Sequence, residues 1–375
     1  MPTLTQRFTA LDVFRGMTIC LMIIVNTPGN GDTTYSPLQH AHWHGFTPTD
    51  LVFPSFLFAV GNAMSFVLKK WQGLPEATVL WKILKRTFII FLLGYLMYWF
   101  PFVKWNDAHE LVGFPISTTR VFGVLQRIAL CYGIAALMIH YLKPRPALIV
   151  SFGFLFLYWL LLYAFANGND PLSMQGNLGF FIDRWLVGEQ HMYHGEGVAF
   201  DPEGLLSTMP AVANVVGGYF VSSFLQKKGS TFEALTKLLI AGCLLLLVAY
   251  CWNLFFPINK KLWTSSFVLH TVGLDCIIIS IIIYIIDFMH KTKWTYFFEV
   301  FGRNPLFIYL LSELGATLLY FFRTDENSSF YQFLYNNLFI HAGSYFGSLL
   351  FAVSFMMCCW LVGYFLDKKK IYVRV

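Results

Sequence analysis

Charge is what this chain has least of. Asp, Glu, Lys and Arg make up 12% of its 375 residues, about half the share of an ordinary soluble domain. A phosphate-binding G-x-x-x-x-G-K-[ST] run is also missing, and Gly217-Gly218 is too short to replace one, so a nucleotide-bearing cofactor would have to be held by scattered basic residues. All seven cysteines, Cys20, Cys131, Cys243, Cys251, Cys276, Cys358 and Cys359, lie in apolar segments, where free cysteine behaves as a small hydrophobe. Neither a disulfide framework nor a zinc knuckle is implied. With no internal repeat, charged linker or low-complexity tail, residues 1–375 read as one membrane domain.

What fills the chain instead is apolar surface: 57% hydrophobic residues, with 40 Phe and 11 Trp. These come in continuous rather than alternating runs, which excludes an outer-membrane barrel. Many approach the roughly 20 residues that cross a bilayer as helix. Ten spans are predicted, near 11–27, 51–68, 88–103, 122–141, 148–166, 210–225, 235–254, 266–287, 298–320 and 345–366. The expected fold class is all-α, a polytopic membrane helix bundle. The first apolar run ends in Val25-Asn26-Thr27-Pro28-Gly29 without a small-residue cleavage site, so it reads as an uncleaved span rather than a signal peptide.

With the N-terminus inside, 18 of the 26 Lys and Arg fall on one face, from Arg7 and Arg15 through Lys69, Lys70, Lys82, Lys85 and Arg86 to Lys368, Lys369, Lys370 and Arg374. Six fall on the other: Lys104, Arg120, Arg184, Lys260, Lys261 and Arg323. The positive-inside rule then places both termini in the cytoplasm. The net charge of +6 is largely this bias and points to no nucleic acid. Segment 69–86, with Trp71, Leu74 and Trp81 among five basic residues, suits a helix lying in the cytoplasmic interface or a plain basic loop.

Three connections on the opposite face are long: 28–50, 104–121 and 167–209. Loops of that length in a compact domain usually have a function. The third carries Asp170, Asp183, Glu189, Glu196, Asp201 and Glu203 among aromatic residues, the make-up of an ordered lid that could grip a sugar. The first has no Lys or Arg but holds His40, His42, His44 and Asp50. A histidine can take a proton from an attacking amine or hydroxyl near neutral pH if a carboxylate holds its ring, and His40 with Asp50 is such a candidate pair. Histidines at i, i+2 and i+4 also point one way in an extended segment and resemble a metal site. No acidic or Cys ligand supports that spacing, and Trp43 and Gly45 suggest a tight turn, so no metal is expected. Asn26 closes the first span, where its amide could face the same pocket and stabilise an oxyanion, or could merely cap the helix.

Arg127, Asp275, Arg303, Asn304 and Glu313 sit inside apolar segments, where ionisable groups default to functional roles. The alternative is that Arg127 with Asp275, or Arg303 with Glu313, are ion pairs that only fix packing.

The run Asp12-Val-Phe-Arg15-Gly16, then Val25-Asn26, then His40-Ala-x-Trp43-x-Gly45 leading to Asp50-Leu-Val-Phe-Pro54, resembles the signature of the lysosomal heparan-alpha-glucosaminide N-acetyltransferase family and its bacterial relatives. Gly123-Val-Leu-Gln126-Arg127, Asp201-Pro-Glu203-Gly204, Asn259-Lys260-Lys261-Leu-Trp263 and Gly302-x-Asn304 extend the resemblance over most of the chain. It implies acetyl-CoA bound from the cytosolic side and acetyl transfer to the terminal glucosamine of a glycan across the membrane. It also implies a homodimer, with His40 as the catalytic histidine and Asn26 and Asp50 as its partners. His42 and His44 are not part of the motif, and the large N-terminal luminal domain and extra first span of the animal enzymes have no counterpart in these residues.

The expectation is thus a bacterial inner-membrane acetyltransferase with no metal. His40 would act as general base or acetyl acceptor, Asp50 would orient it and Asn26 would serve as donor. Trp43, Arg120, Glu203, Lys260 and Trp263 would border the amino-sugar entrance, and Arg127, Arg303 and Asn304 are candidates for the CoA moiety. Two other classes compete, an amino-sugar permease and a membrane O-acyltransferase. The former would more often show paired repeats and matched broken helices.

Overall fold

In the computed structural model, residues 8–166, 168, 170–325 and 328–373 are described; Arg7 and Arg374 lie outside them. The first half comprises α1 (Thr9–Asn26), α2 (Val52–Lys70), α3 (Glu76–Trp99), strands β1 (Val103–Trp105) and β2 (Leu111–Gly113), α4 (Val124–Leu142) and α5 (Pro144–Ala164). The second comprises α6 (Leu178–Val187), α7 (Leu205–Lys228), α8 (Phe232–Asn253), α9 (Ser265–Ile283), α10 (Thr295–Arg303), α11 (Pro305–Phe321), α12 (Phe330–Leu334) and α13 (Ser344–Lys368). The strands form one small antiparallel hairpin in register Val103 to Gly113, so the protein is an all-α polytopic bundle.

Among the described residues, eight helices are long and apolar enough to cross a bilayer, and α10 with α11 would make a ninth. Burial sorts them. The spans of α2, α4 and α9 are each 67% buried, whereas α5, α8 and α13 are only 28% buried. The first group forms the interior. The second turns side chains such as Leu160, Leu247 and Phe365 outward, where lipid rather than water is the solvent that suits them. Small residues let the inner helices close up: a Cβ on Gly61 would strike the carbonyl of Val215, and one on Gly218 that of Phe58, so α2 and α7 pack backbone to backbone.

Two expectations need correction. Segment 69–86 holds neither an in-plane helix nor a plain loop, because α3 begins at Glu76 and runs 24 residues without a break. Its first half is two-faced. Trp81 and Phe88 are each 66% exposed, Ile90 is buried on the opposite side, and Lys82, Lys85, Arg86 and Ile90 line a cavity, the two lysines from its exposed edge. The single span near 298–320 is two helices bent by 83°. Pro305 opens α11, where its missing N–H and fixed φ suit a first turn but cannot continue α10. Arg303 therefore ends a helix on the face that carries Arg15 and Lys70, instead of lying mid-span.

Candidate active site

The face opposite those basic residues, termed here the loop face, carries the 27–51 connection. Both of its ends are fixed. Gly29 N–H donates to Ser348 O at 3.2 Å and Tyr331 Oη donates to Pro28 O at 2.7 Å, while the Gly45 N–H donates to Ile258 O at 2.8 Å. Beyond the second anchor Thr47 and Asp50 form a capping box on the turn that leads into α2. Asp50 Oδ2 accepts from the backbone N–H groups of Ala41 (3.1 Å) and Thr47 (3.0 Å), which leaves Oδ1 for His40 Nδ1 at 2.7 Å. The His40 side chain is 46% exposed and that of Asp50 is 1% exposed. A carboxylate held this way keeps the proton on Nδ1 and presents the Nε2 lone pair.

A second element supplies Lys260. Asn259 organises a turn, its side chain accepting from Leu262 N–H at 2.8 Å and its N–H donating to Thr264 Oγ1 at 3.0 Å. Trp263 completes the turn in the left-handed region at φ 54. Lys260 Nζ consequently lies 3.0 Å from His40 Nδ1 and 3.2 Å from Nε2, and 3.7 Å from Asp50 Oδ1. Burial pushes the Lys260 ammonium below the usual lysine range, partly offset by Asp50 and Glu203.

His40, Asn26, Glu203 and Lys260 line one cavity of about 130 Å³ with Val52, Phe53 and Val124. Asn26 Nδ2 donates to Glu313 Oε1 at 3.1 Å. Arg120 holds Glu203 at 2.6 Å and Asp201 at 2.5 Å, its guanidinium set over the rings of Tyr98 and Tyr193. Burial opposes ionisation of Glu203, but Arg120, Arg127 and Lys260 outweigh it and hold the carboxyl below its ordinary range.

On the basic face a larger cavity of about 950 Å³ is lined by Arg15, Lys70, Lys82, Lys85, Arg86 and Arg303 at its rim and by Phe56, Leu125 and Ile128 within. The two cavities are lined by neighbouring residues of the same helices. Phe53 in the small one and Phe56 in the large one are one turn apart on α2, and Val124 and Leu125 are neighbours on α4. From Lys70 to Phe56 the large cavity follows α2 for about 21 Å at the helical rise. That is a long cavity with cations at one end, and its inner lining at Phe56 and Leu125 neighbours Phe53 and Val124 of the cavity that holds His40. The chemistry of its lining fits a ligand with phosphates at one end and a flexible arm. Arg86 Nε is buried with no hydrogen-bond partner among the described residues.

Other expected site residues lie elsewhere. Trp263 is buried, packs edge-on against Phe53, lies beneath the Arg127 guanidinium and donates to Asn214 Oδ1; it does not border the entrance. Arg127 sits in the first turn of α4, bonded to Gly204 O and Ser207, and does not line the basic cavity. Trp43 ties two loops together through Leu172 O at 3.0 Å. The amide of Asn304 is taken up by Ile371 O and Val373 N–H. Neither alternative ion pair exists: Asp275 accepts from Ser55, Arg303 bonds Asp367 and Glu299, and Glu313 meets Asn26. The acids of the third loop are mostly spoken for internally, Asp183 by Leu205 N–H, Asp201 by Arg120 and Glu196 by Lys261, so Glu203 alone among them faces the cavity. No three His, Cys, Asp or Glu among the described residues gather as a metal site.

Fold and site define a polytopic membrane protein with a histidine–carboxylate dyad at a small cavity that neighbours a larger basic one. The family model for the catalytic region of heparan-alpha-glucosaminide N-acetyltransferase matches residues 7–180. Over its whole length (100%) the chain is similar to human heparan-alpha-glucosaminide N-acetyltransferase, at 25% identity with 61% of that protein covered. To the mouse enzyme it is 27% identical over 99% of the chain, again with 61% of the relative covered. The chain thus spans about three fifths of the length of these curated relatives. The resemblance read from the motifs holds, and the proteins it points to are acyltransferases.

Proposed function

We propose that this protein is a membrane acetyltransferase that accepts acetyl-CoA at the basic face and acetylates the amino group of a glucosamine-type sugar at the loop face. The observation that carries this reading is the adjacency of the two cavities along α2 and α4, with cations lining one and His40 the other. By the positive-inside rule the basic face is cytoplasmic, which in a bacterial inner membrane makes the loop face periplasmic.

Bound acetyl-CoA supplies an activated acetyl thioester. Lys70, Lys82, Lys85 and Arg86 would hold its phosphates, the lysines as point charges and Arg86 through its guanidinium fork, since Arg303 is already neutralised by Asp367 and Glu299. Asp50 fixes the His40 ring, and Nε2 receives the proton that the amine sheds on attack. Asn26 has a second amide hydrogen beyond the one given to Glu313, available to a developing oxyanion. Glu203, clamped by Arg120, accepts from a sugar hydroxyl or the incoming ammonium.

Purified protein in sealed vesicles, given acetyl-CoA on one side and a panel of glucosamine, heparan disaccharides and simple alcohols on the other, tests the reading by mass spectrometry. N-Acetylglucosamine products formed only with acetyl-CoA at the basic face support it. Ester products would make the protein an O-acyltransferase, and sugar uptake without acetylation a permease. The homodimer that the resemblance implies has its own test in the mass of the detergent-solubilised protein.

A further inference from the structure

An amine of the protein's own already lies within reach of both His40 ring nitrogens, in the cavity proposed for the acceptor. Lys260 Nζ lies 3.2 Å from His40 Nε2, the nitrogen that receives a proton in the proposed reaction, and it lines the same small cavity as Asn26 and Glu203. The backbone of Lys260 cannot draw back, because Asn259, Trp263 and Thr264 lock the turn from both sides. Only the side chain can leave. Its neighbour Lys261 is different, held by His42 O at 3.0 Å and Glu196 at 2.6 Å and absent from the cavity lining.

We propose that Lys260 is itself an acetylation site of this protein, modified through the His40 dyad when no acceptor amine occupies the cavity. The inference rests on the acetyltransferase reading above. In the step, the Lys260 Nζ lone pair forms a bond to the acetyl carbonyl carbon and the carbon–sulfur bond of the thioester breaks. The proton from Nζ passes to His40 Nε2 and from there to the departing thiolate. The products are N-acetyl-lysine and CoA thiol, and no further reactant is needed. Nucleophilic attack requires the neutral amine, whose population burial of Lys260 raises. The amide product carries no charge, cannot return the acetyl group to a sugar at useful rate, and fills part of a cavity of only about 130 Å³. Acceptor starvation would thus switch the site off.

The experiment incubates the purified full chain with acetyl-CoA carrying a deuterated acetyl group, with and without saturating glucosamine, and maps modified peptides by mass spectrometry. Expected is one deuterated acetyl group per chain on Lys260, stable to hydroxylamine as an amide is and an acetyl-imidazole is not. It should be suppressed at least several-fold by glucosamine and absent from His40→Ala and Lys260→Arg. The wild-type map is decisive even if a variant fails to fold. An unmodified Lys260 in a preparation that acetylates glucosamine overturns the inference and leaves the enzyme reading standing. Labelling of Lys260 no faster than of surface lysines such as Lys227 overturns it as chemical background. Absence of both Lys260 labelling and sugar product overturns the two together.

Discussion

Asn26 Nδ2 and Glu313 Oε1 lie 3.1 Å apart although 287 residues separate them in the chain, and this bond ties the end of α1 to α11 beside the His40 cavity. If Glu313 serves to aim the Asn26 amide, the two residues act as a unit. Asn26→Ala and Glu313→Ala should each lower kcat/KM for acetyl transfer, by about 10-fold or more on the scale of a lost oxyanion donor. The double variant should be little worse than the poorer single one, a coupling that a double-mutant cycle reads directly. Additive losses would mean that Glu313 acts elsewhere.

His40→Ala should lower acetyl transfer by about 100-fold or more, the scale of a lost general base, with membrane insertion unchanged. His42→Ala should cost far less, since the only bond to His42 from the lysine turn is to its backbone carbonyl. Chelator treatment should leave the wild-type rate intact. Equal losses in the two variants, together with retained zinc, would replace the base with a metal centre.

Charge reversal at the basic cavity should separate binding from chemistry. Lys85→Glu and Arg86→Glu are expected to raise KM for acetyl-CoA more than they lower kcat, because contacts remote from the reacting carbon contribute mostly uniform binding. Arg303→Glu should instead destabilise the protein, since it would set a third carboxylate against Asp367 and Glu299. Arg127→Glu should do the same by burying an unmatched charge beside Gly204 O and Ser207. Thermal midpoints in detergent distinguish these two pairs.

Asp183 gives a pH dependence of known sign. Burial pushes its carboxyl up from 3.8 to about 7, so the folded protein binds the proton more tightly than the unfolded chain does. Its contribution is fully present below the unfolded value and is lost as pH rises through about 7. Asp183→Asn keeps an acceptor for the Leu205 N–H, bonded at 2.8 Å. The variant should raise the thermal midpoint most at pH 8, less at pH 5, which lies between the unfolded value and the folded one, and least below 3.8. An equal shift at every pH would assign the effect to packing.

Helix spans were legible because long apolar runs admit few structures in lipid, and His40 with Asp50 because the residues between them carry no competing cation. What the sequence hid was hidden by reach and by facing. Glu313 is remote in sequence from the Asn26 it supports. Lys82, Lys85 and Arg86 look like a basic loop until the helix sets them along the edge of one cavity. Trp263 suits an entrance and Arg127 a phosphate by residue type, yet their partners, Asn214 within α7 and Gly204 and Ser207 at its start, draw them inward. The kink at Pro305 carries a visible signal, but apolar residues on both sides make two helices look like one.

Because α2 is unbroken from Val52 to Lys70, it works as a measuring rod between the two ends of the reaction. Its rigid rise sets the separation from the cations near Lys70 to the cavity at Phe53 at about 25 Å. A donor anchored by its phosphates at one end delivers its thioester at a fixed depth. Under the proposed function, the protein thus selects acyl donors by the length of their arm as well as by the acyl group, and a thioester on a truncated arm would be held too far from His40 to react while anchored.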